Sequence, residues 1–374
     1  MNAAQDLSFE LAATNLLSHC AGLSAGDRLL IVAESPEFGY YDGITAKRLA
    51  EAATARGIDV SLVMVPFQEV IREINAQEAA MMAAVDCTIF FARLGDQMRF
   101  RALPDAVSAV VCYTLDMAAF CSAYGATHYA GFEALKYAID DMVSAARDIH
   151  VTCPLGTDFR GPGPQVAKAL RGDVTVKRFP MSVFAPVPAA GFSGRVALAG
   201  FLMGTGSRYY RPYGCALQAP LFACFEAGRL RHFEGRPDDV ALANAHCADI
   251  AGRFDLDAGA VHSWHAGIHP GCAHVLPVHS DYLKWSGAAF GNPRILHFHT
   301  CGAEPPGEIS WNVVDPTIWI DGVAVWQDGQ LFPDRVPGGA DILAHFACLA
   351  ASFSKPSYDI GVDIGQFLPA YSSM

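Results

Sequence analysis

Residues 28–34, RLLIVAE, form an apolar run of strand length. A run this short and this continuous suits a strand buried on both faces, as in the middle of a parallel sheet. The flanking segments fit that reading. Upstream, LSFELAATNLLSHCAGL (7–23) spaces its apolar residues at helical intervals, and SAGD (24–27) turns the chain. Downstream, GITAKRLAEAATARG (43–57) is an Ala-rich helix closed by Gly57, and IDVSLVMVP (58–66) is a second strand. AVDCTIFFA (84–92) and AVSAVVCYT (106–114) supply two more. Strand–helix–strand alternation predicts a parallel sheet with helices on both faces. The loop SPEFGYYDG (35–43) follows the first strand, where open α/β sheets bind ligands. It carries neither phosphate-binding glycine pattern, so it is read as a connection.

The pattern changes near DIHVTCPLGTDFRGPGP (148–164), which is rich in Gly, Pro and turn residues. Beyond it, LFACFEAGRLRHFEG (221–235) reads as a hairpin turning around Glu226–Gly228. IWIDGVAVWQDGQLF (318–332) reads as two more, with turns at Asp321-Gly322 and Asp328-Gly329. The expected fold class is α/β: a parallel-sheet α/β domain over 1–155, then a strand-rich α+β domain over 156–374 that carries the chemistry.

Composition narrows the function classes. Hydrophobic residues make up 52% and charged residues 17%, which implies extensive burial or a subunit interface, read here as a homodimer. No apolar run approaches the roughly 20 residues of a membrane span. The opening MNAAQDLSFE lacks the basic and apolar regions of a signal peptide, so the expected location is the cytoplasm. The eleven scattered cysteines include no C-x-x-C and are expected to be free thiols. A net charge of −12 with no Lys/Arg cluster argues against nucleic acid and against anionic membrane, leaving a small molecule as the expected partner.

Seven of the thirteen histidines fall between 262 and 299. In RILHFHT (294–300), a strand would put His297 and His299 on one face, spaced to share a metal. A solvated strand face, or a satisfied core histidine, gives the same pattern. SWHAGIHPG (263–271) is broken by Gly267 and Pro270-Gly271 and is read as a shaped loop holding His265 and His269. Glu308 and Asp315, in GEISWNVVDPTIWIDG (307–322), are the nearest carboxylates. Two histidines and a carboxylate form the ligand set of many mononuclear iron enzymes, and zinc hydrolases use a similar one. A carboxylate can serve instead as general base.

GLSAGDRLLIVAES (22–35), EAATARGIDVSLVMVP (51–66), PLGTDFRG (154–161), FEAGRLRHFEG (225–235) and IWIDG (318–322) together resemble the aminopeptidase T/aminopeptidase S metallopeptidases. They also resemble their relative, the 2,5-dihydroxypyridine 5,6-dioxygenases, which are non-haem iron enzymes. SWHAGIHPG is similar to the dioxygenase ligand segment S-H-x-G-x-G-x-N-P, which would place the first iron ligand at His265 and the Asn-Pro at His269-Pro270. The second segment, H-x-D, falls on Glu308-Ile-Ser310, so this chain departs from the iron triad. The paired-metal aminopeptidase set departs too, because GCALQAP (214–220) holds no carboxylate. The resemblance therefore implies one metal, ferrous iron or alternatively zinc, on His265, on His297 or His299, and on Glu308. A spare histidine, His262 or His269, would move protons. Ring-cleaving oxygenation of a small aromatic or heteroaromatic compound is the leading expectation. Hydrolysis of an amide or C–N bond, with Glu308 as base, is the second, and a metal-free binding protein the third.

Overall fold

The computed structural model describes residues 3–69, 74–99, 103, 107–165, 175–205 and 207–365. The run at 28–34 is strand β1 (Arg28–Glu34), and every residue after Arg28 is buried. It is flanked in parallel by β2 (Asp59–Val65) and β3 (Cys87–Phe91). β3 in turn pairs in parallel with β4 (Ala109–Cys112). The chain then leaves this sheet for β5 (Ile149–Thr152) and β6 (Asp158–Gly161), and returns once as β7 (Lys177–Phe179), parallel to β4. The order is β2-β1-β3-β4-β7.

Alternation along β1 explains why helices cover both faces. Leu29, Ile31 and Ala33 pack on one side with residues of the helices Ala3–Thr14 and Ile44–Ala55. Leu30 and Val32 face the other side with Met82, Phe90, Leu94 and Met98. Open sheets of this strand order bind ligands at the β1/β3 switch point. Here a buried ion pair fills that place: Arg93, just after β3, binds Glu34 at the end of β1. The guanidinium also lies over the rings of Phe67, at 3.4 Å, and Tyr40, at 4.6 Å.

The remaining strands are β8 (Val187–Pro188), β9 (Ser193–Leu198), β10 (Phe201–Met203), β11 (Gly214–Ala216), β12 (Leu221–Glu226), β13 (Arg229–Glu234), β14 (Val261–Ala266), β15 (Ile295–Cys301), β16 (Glu308–Val314), β17 (Thr317–Ile320), β18 (Val323–Gln327) and β19 (Gln330–Leu331). They complete two antiparallel sheets: β11-β10-β16-β15-β14-β8, and β13-β12-β9-β6-β5-β17-β18-β19. The expected hairpins are β12/β13, β17/β18 and β18/β19. Each turns through two residues of positive φ: Ala227-Gly228, Asp321-Gly322 and Asp328-Gly329. That geometry matches strand twist and favours Asp-Gly.

The two antiparallel sheets are joined by aromatic side chains. Phe159 on β6 meets Trp264 on β14 at 5.6 Å and Phe298 on β15 at 5.1 Å, and Phe225 on β12 meets Phe298 at 5.7 Å. The molecule is thus a mixed α/β protein with one parallel sheet and two larger antiparallel ones, and eleven α-helices among the described residues. No helix among the described residues is long and apolar enough to cross a membrane.

Candidate metal centre

Strand pairing brings three histidines together. On β14 and β15, His265 lies directly opposite His297, and Ser263 opposite His299. Trp264, Phe298 and Trp311 are aligned across β14, β15 and β16 and turn to the opposite face, into the aromatic layer. The period of two therefore sorts the six-stranded sheet into an apolar face and an imidazole face. The sequence reading of 263–271 as a loop is corrected here. Trp264 and His265 belong to β14, and the chain leaves the strand only after Ala266.

His265, His297 and His299 are all buried, with ligand atoms within 4.8 Å of one another. Their Nε2 atoms converge: His265 to His297 is 2.7 Å, and His299 to His265 is 3.2 Å. Two of the rings are locked from behind. His265 Nδ1–H donates to the Phe184 carbonyl at 2.8 Å, and His299 Nδ1–H donates to the Glu308 carboxylate. Glu308 also accepts from the Thr205 hydroxyl. Because a carbonyl or carboxylate oxygen only accepts, these bonds put the proton on Nδ1 and leave the Nε2 lone pairs facing the cluster. The His297 ring stacks on Phe290 at 4.0 Å, and its Nδ1 has no hydrogen-bond partner.

All three imidazoles are held neutral. Burial, and next the Arg178 charge, push His265 down to about 3. Burial and then the neighbouring His265 push His297 and His299 well below their ordinary value. Neutral imidazole is the metal-binding form. A first-row ion with N bonds of about 2.0–2.1 Å separates its imidazole nitrogens by roughly 3.0–3.4 Å, close to the spacing seen. The donor set fits one divalent ion.

The other expected site residues lie elsewhere. Glu308 is buried behind His299, its carboxylate taken by Nδ1 and Thr205 rather than turned to the cluster. That is the position of a group that orients a ligand. His262 donates from Nε2 to the Cys301 carbonyl at 3.0 Å. His269 is fully buried, stacked on Phe132 at 3.7 Å and edge-on to Tyr124 at 4.9 Å. Tyr124, whose ring meets that of His269, lines the cavity into which the cluster opens, whereas His269 does not. Burial pushes His269 down to about 3. It therefore adds stability above its unfolded value near 6.5, and that contribution fades as pH falls toward 3, at about 1.4 kcal/mol per pH unit. In His269→Phe, stability measured by urea unfolding between pH 5 and 6 should fall with acid less steeply, by about one proton. An unchanged slope would mean that His269 titrates normally.

The cluster opens onto a cavity of about 100 Å³. Its further wall comes from the parallel half, near the carboxyl ends of the strands: Asp96 after β3, Tyr113 after β4, and Arg178 on β7 with Ser182 after it. Arg99, Tyr124, Ser286 and Phe290 add to this lining. Asp96 accepts from Tyr113 Oη–H at 2.7 Å and lies 3.3 Å from Arg99 Nε. Neither His262 nor His269 lines it. The arginines escaped the sequence reading because residues 99 and 178 lie far from the histidines in the chain. No local signal marks them: VKRFPM (176–181) and LGDQMRF (94–100) mix charged or polar residues with apolar ones.

The chain matches no protein-family model and no curated protein. Among solved structures it is similar to the 2,5-dihydroxypyridine dioxygenase of Pseudomonas putida KT2440, with a TM-score of 0.55 and 13% identity over 89% of this chain and 99% of that one. The fold is shared. AmpT from Thermus thermophilus also aligns, with a TM-score of 0.49 and 13% identity over 87% and 99% of the two chains.

Proposed function

We propose that this chain is a mononuclear metal-dependent enzyme acting on one small aromatic or heteroaromatic ring, and that it is a ring-cleaving dioxygenase using ferrous iron. The observation that carries the reading is the convergence of the Nε2 atoms of three neutral imidazoles on the wall of a small cavity. The ligands are His265, His297 and His299. Glu308 and the Phe184 carbonyl orient them instead of binding the metal. Ferrous iron in such a centre supplies the redox chemistry that dioxygen requires.

The protein's own groups do the rest. The cavity, far smaller than the roughly 300 Å³ or more of sites for drug-sized ligands, limits the substrate to about one ring. Phe290 offers an aromatic wall. Proton movement at the ring falls to the hydrogen-bonded Tyr113–Asp96 pair, because His262 and His269 do not line the cavity. The likeness in fold to a dioxygenase supports oxygenation over other metal chemistry.

A second reading has its own support. Three imidazoles with an open position also make a zinc centre that activates water, which would make the chain a hydrolase. Purification without chelator, metal analysis, and anaerobic loading with ferrous iron or zinc separate the two. Oxygen uptake with hydroxylated one-ring compounds, dependent on iron and not on zinc, is the expected result. Zinc-dependent amide hydrolysis without oxygen uptake would favour the second reading. Less than a tenth of an equivalent of any metal after loading would remove both.

A further inference from the structure

We propose that Cys224, His232 and Glu234 form a second metal site, on the outer face of the β12/β13 hairpin, and that it takes zinc. The proposal stands apart from the reading of the imidazole cluster. Strand register builds the site. Cys224 pairs directly with His232 across the ladder, and Glu234 lies two residues further along β13, opposite Phe222. Side chains two apart on a strand share a face, so thiol, imidazole and carboxylate stand on one side of the hairpin. The other side is apolar: Ala223, Phe225 and Phe233 are buried, and the two phenylalanines meet Trp311 at 6.4 and 6.3 Å. The three donors thus face away from the aromatic layer, and none of them lines the cavity.

One ligand atom from each of the three lies within 4.8 Å of the others. His232 Nε2 is 2.9 Å from the Glu234 carboxylate, and the two side chains are 57% and 52% exposed. An exposed ion pair of this kind contributes little to stability and does not call for a thiol. The third donor, a half-buried cysteine directly opposite the imidazole, turns the pair into a ligand set. Arg195, opposite Cys224 on β9, is engaged elsewhere: it lies 5.0 Å from the Phe222 ring centroid and donates to the Gly156 carbonyl at 3.1 Å. Thiolate, imidazole and carboxylate are all zinc ligands, with bonds of about 2.0–2.3 Å, onto which the exposed side chains of β13 can close. The thiolate favours zinc over magnesium or calcium. On binding, Cys224 releases its thiol proton to solvent, and one thiolate and one carboxylate offset the charge of the ion. Water completes the tetrahedron. Because β13 is the last strand of the eight-stranded sheet, the ion would pin an edge that pairs on one side only.

The test uses the full chain, reduced, stripped with chelator and loaded anaerobically with cobalt(II), a zinc substitute whose bond to a thiolate absorbs in the near ultraviolet. The imidazole cluster contains no sulfur, so this band reports a cysteine ligand. The band should appear in the wild type and in His297→Ala, disappear on adding zinc, and be absent from Cys224→Ser. His232→Ala and Glu234→Gln should weaken cobalt binding by more than the roughly 10- to 100-fold that a group behind a ligand contributes. Independently of any variant, zinc should slow alkylation of Cys224 in the wild type, read by peptide mass, at least about tenfold. No band in the wild type, or a Cys224 alkylated equally fast with zinc, overturns the proposal. So does a band that survives Cys224→Ser, or one indifferent to both His232→Ala and Glu234→Gln. Cys224→Ser is also the background in which metal at the imidazole cluster is counted, so that zinc on the hairpin does not add to it.

Discussion

His265→Ala should abolish stoichiometric metal binding and activity together, and so should His297→Ala and His299→Ala. Each removes one of three converging nitrogen donors, and the space left behind is buried and holds no substitute donor among the described residues. Glu308→Gln behaves differently. Its amide can still accept from His299 Nδ1–H through the carbonyl end but gives up the negative charge, so affinity should fall about 10- to 100-fold rather than vanish. Metal titration under anaerobic conditions, read by elemental analysis, distinguishes the two classes. Metal lost from Glu308→Gln as completely as from the alanine variants would make Glu308 a ligand after all. Metal and turnover surviving His265→Ala would show that the imidazole cluster is not the centre.

The second large effect concerns stability. Arg93→Met strands Glu34, which is 1% exposed, without its counter-charge and should cost about 3–5 kcal/mol. The guanidinium also leaves the faces of Phe67 and Tyr40, adding to the loss. Adding Glu34→Leu removes the stranded carboxylate, and the double variant should recover most of the deficit, since a buried ion pair is often no better than apolar packing of like volume. Urea midpoints of wild type, single and double variants form the measurement. A single variant within about 1 kcal/mol of the wild type would mean that the pair contributes little and that water reaches Glu34.

Local chemistry explains which parts of this molecule were legible in its sequence. β1 declared itself because a strand in the middle of a parallel sheet needs apolar residues on both faces, and RLLIVAE supplies them. The hairpins at Asp321-Gly322 and Asp328-Gly329 were legible because few residue pairs tolerate two successive positive φ values. His297 and His299 share a face by the period of two alone. Other features depended on contacts across the chain. VHSWHA ends at Gly267 and Pro270, and those breakers made the end of a strand look like a loop. His269, beside a proline in a histidine-rich stretch, looked available for proton transfer, but Phe132 from the helix Tyr129–Ala145 covers its ring. Glu308 was near enough in sequence to be read as a ligand. Only the register of β15 on β16, which pairs Cys301 with Glu308, puts its carboxylate behind His299. Arg99 and Arg178 carry no local signal of any kind, because their meaning comes from the wall they face.

The cavity also has an order of assembly. Arg99 emerges from the ribosome early, and Arg178 arrives with β7, the last strand of the parallel sheet. His265 follows much later, and His297, His299 and Glu308 later still. N-terminal units fold first during synthesis. A nascent chain long enough to complete the parallel sheet therefore still lacks the histidine wall of the cavity, which forms only when β15 pairs with β14. A metal held by His265, His297 and His299 would be captured only after β15 had paired with β14.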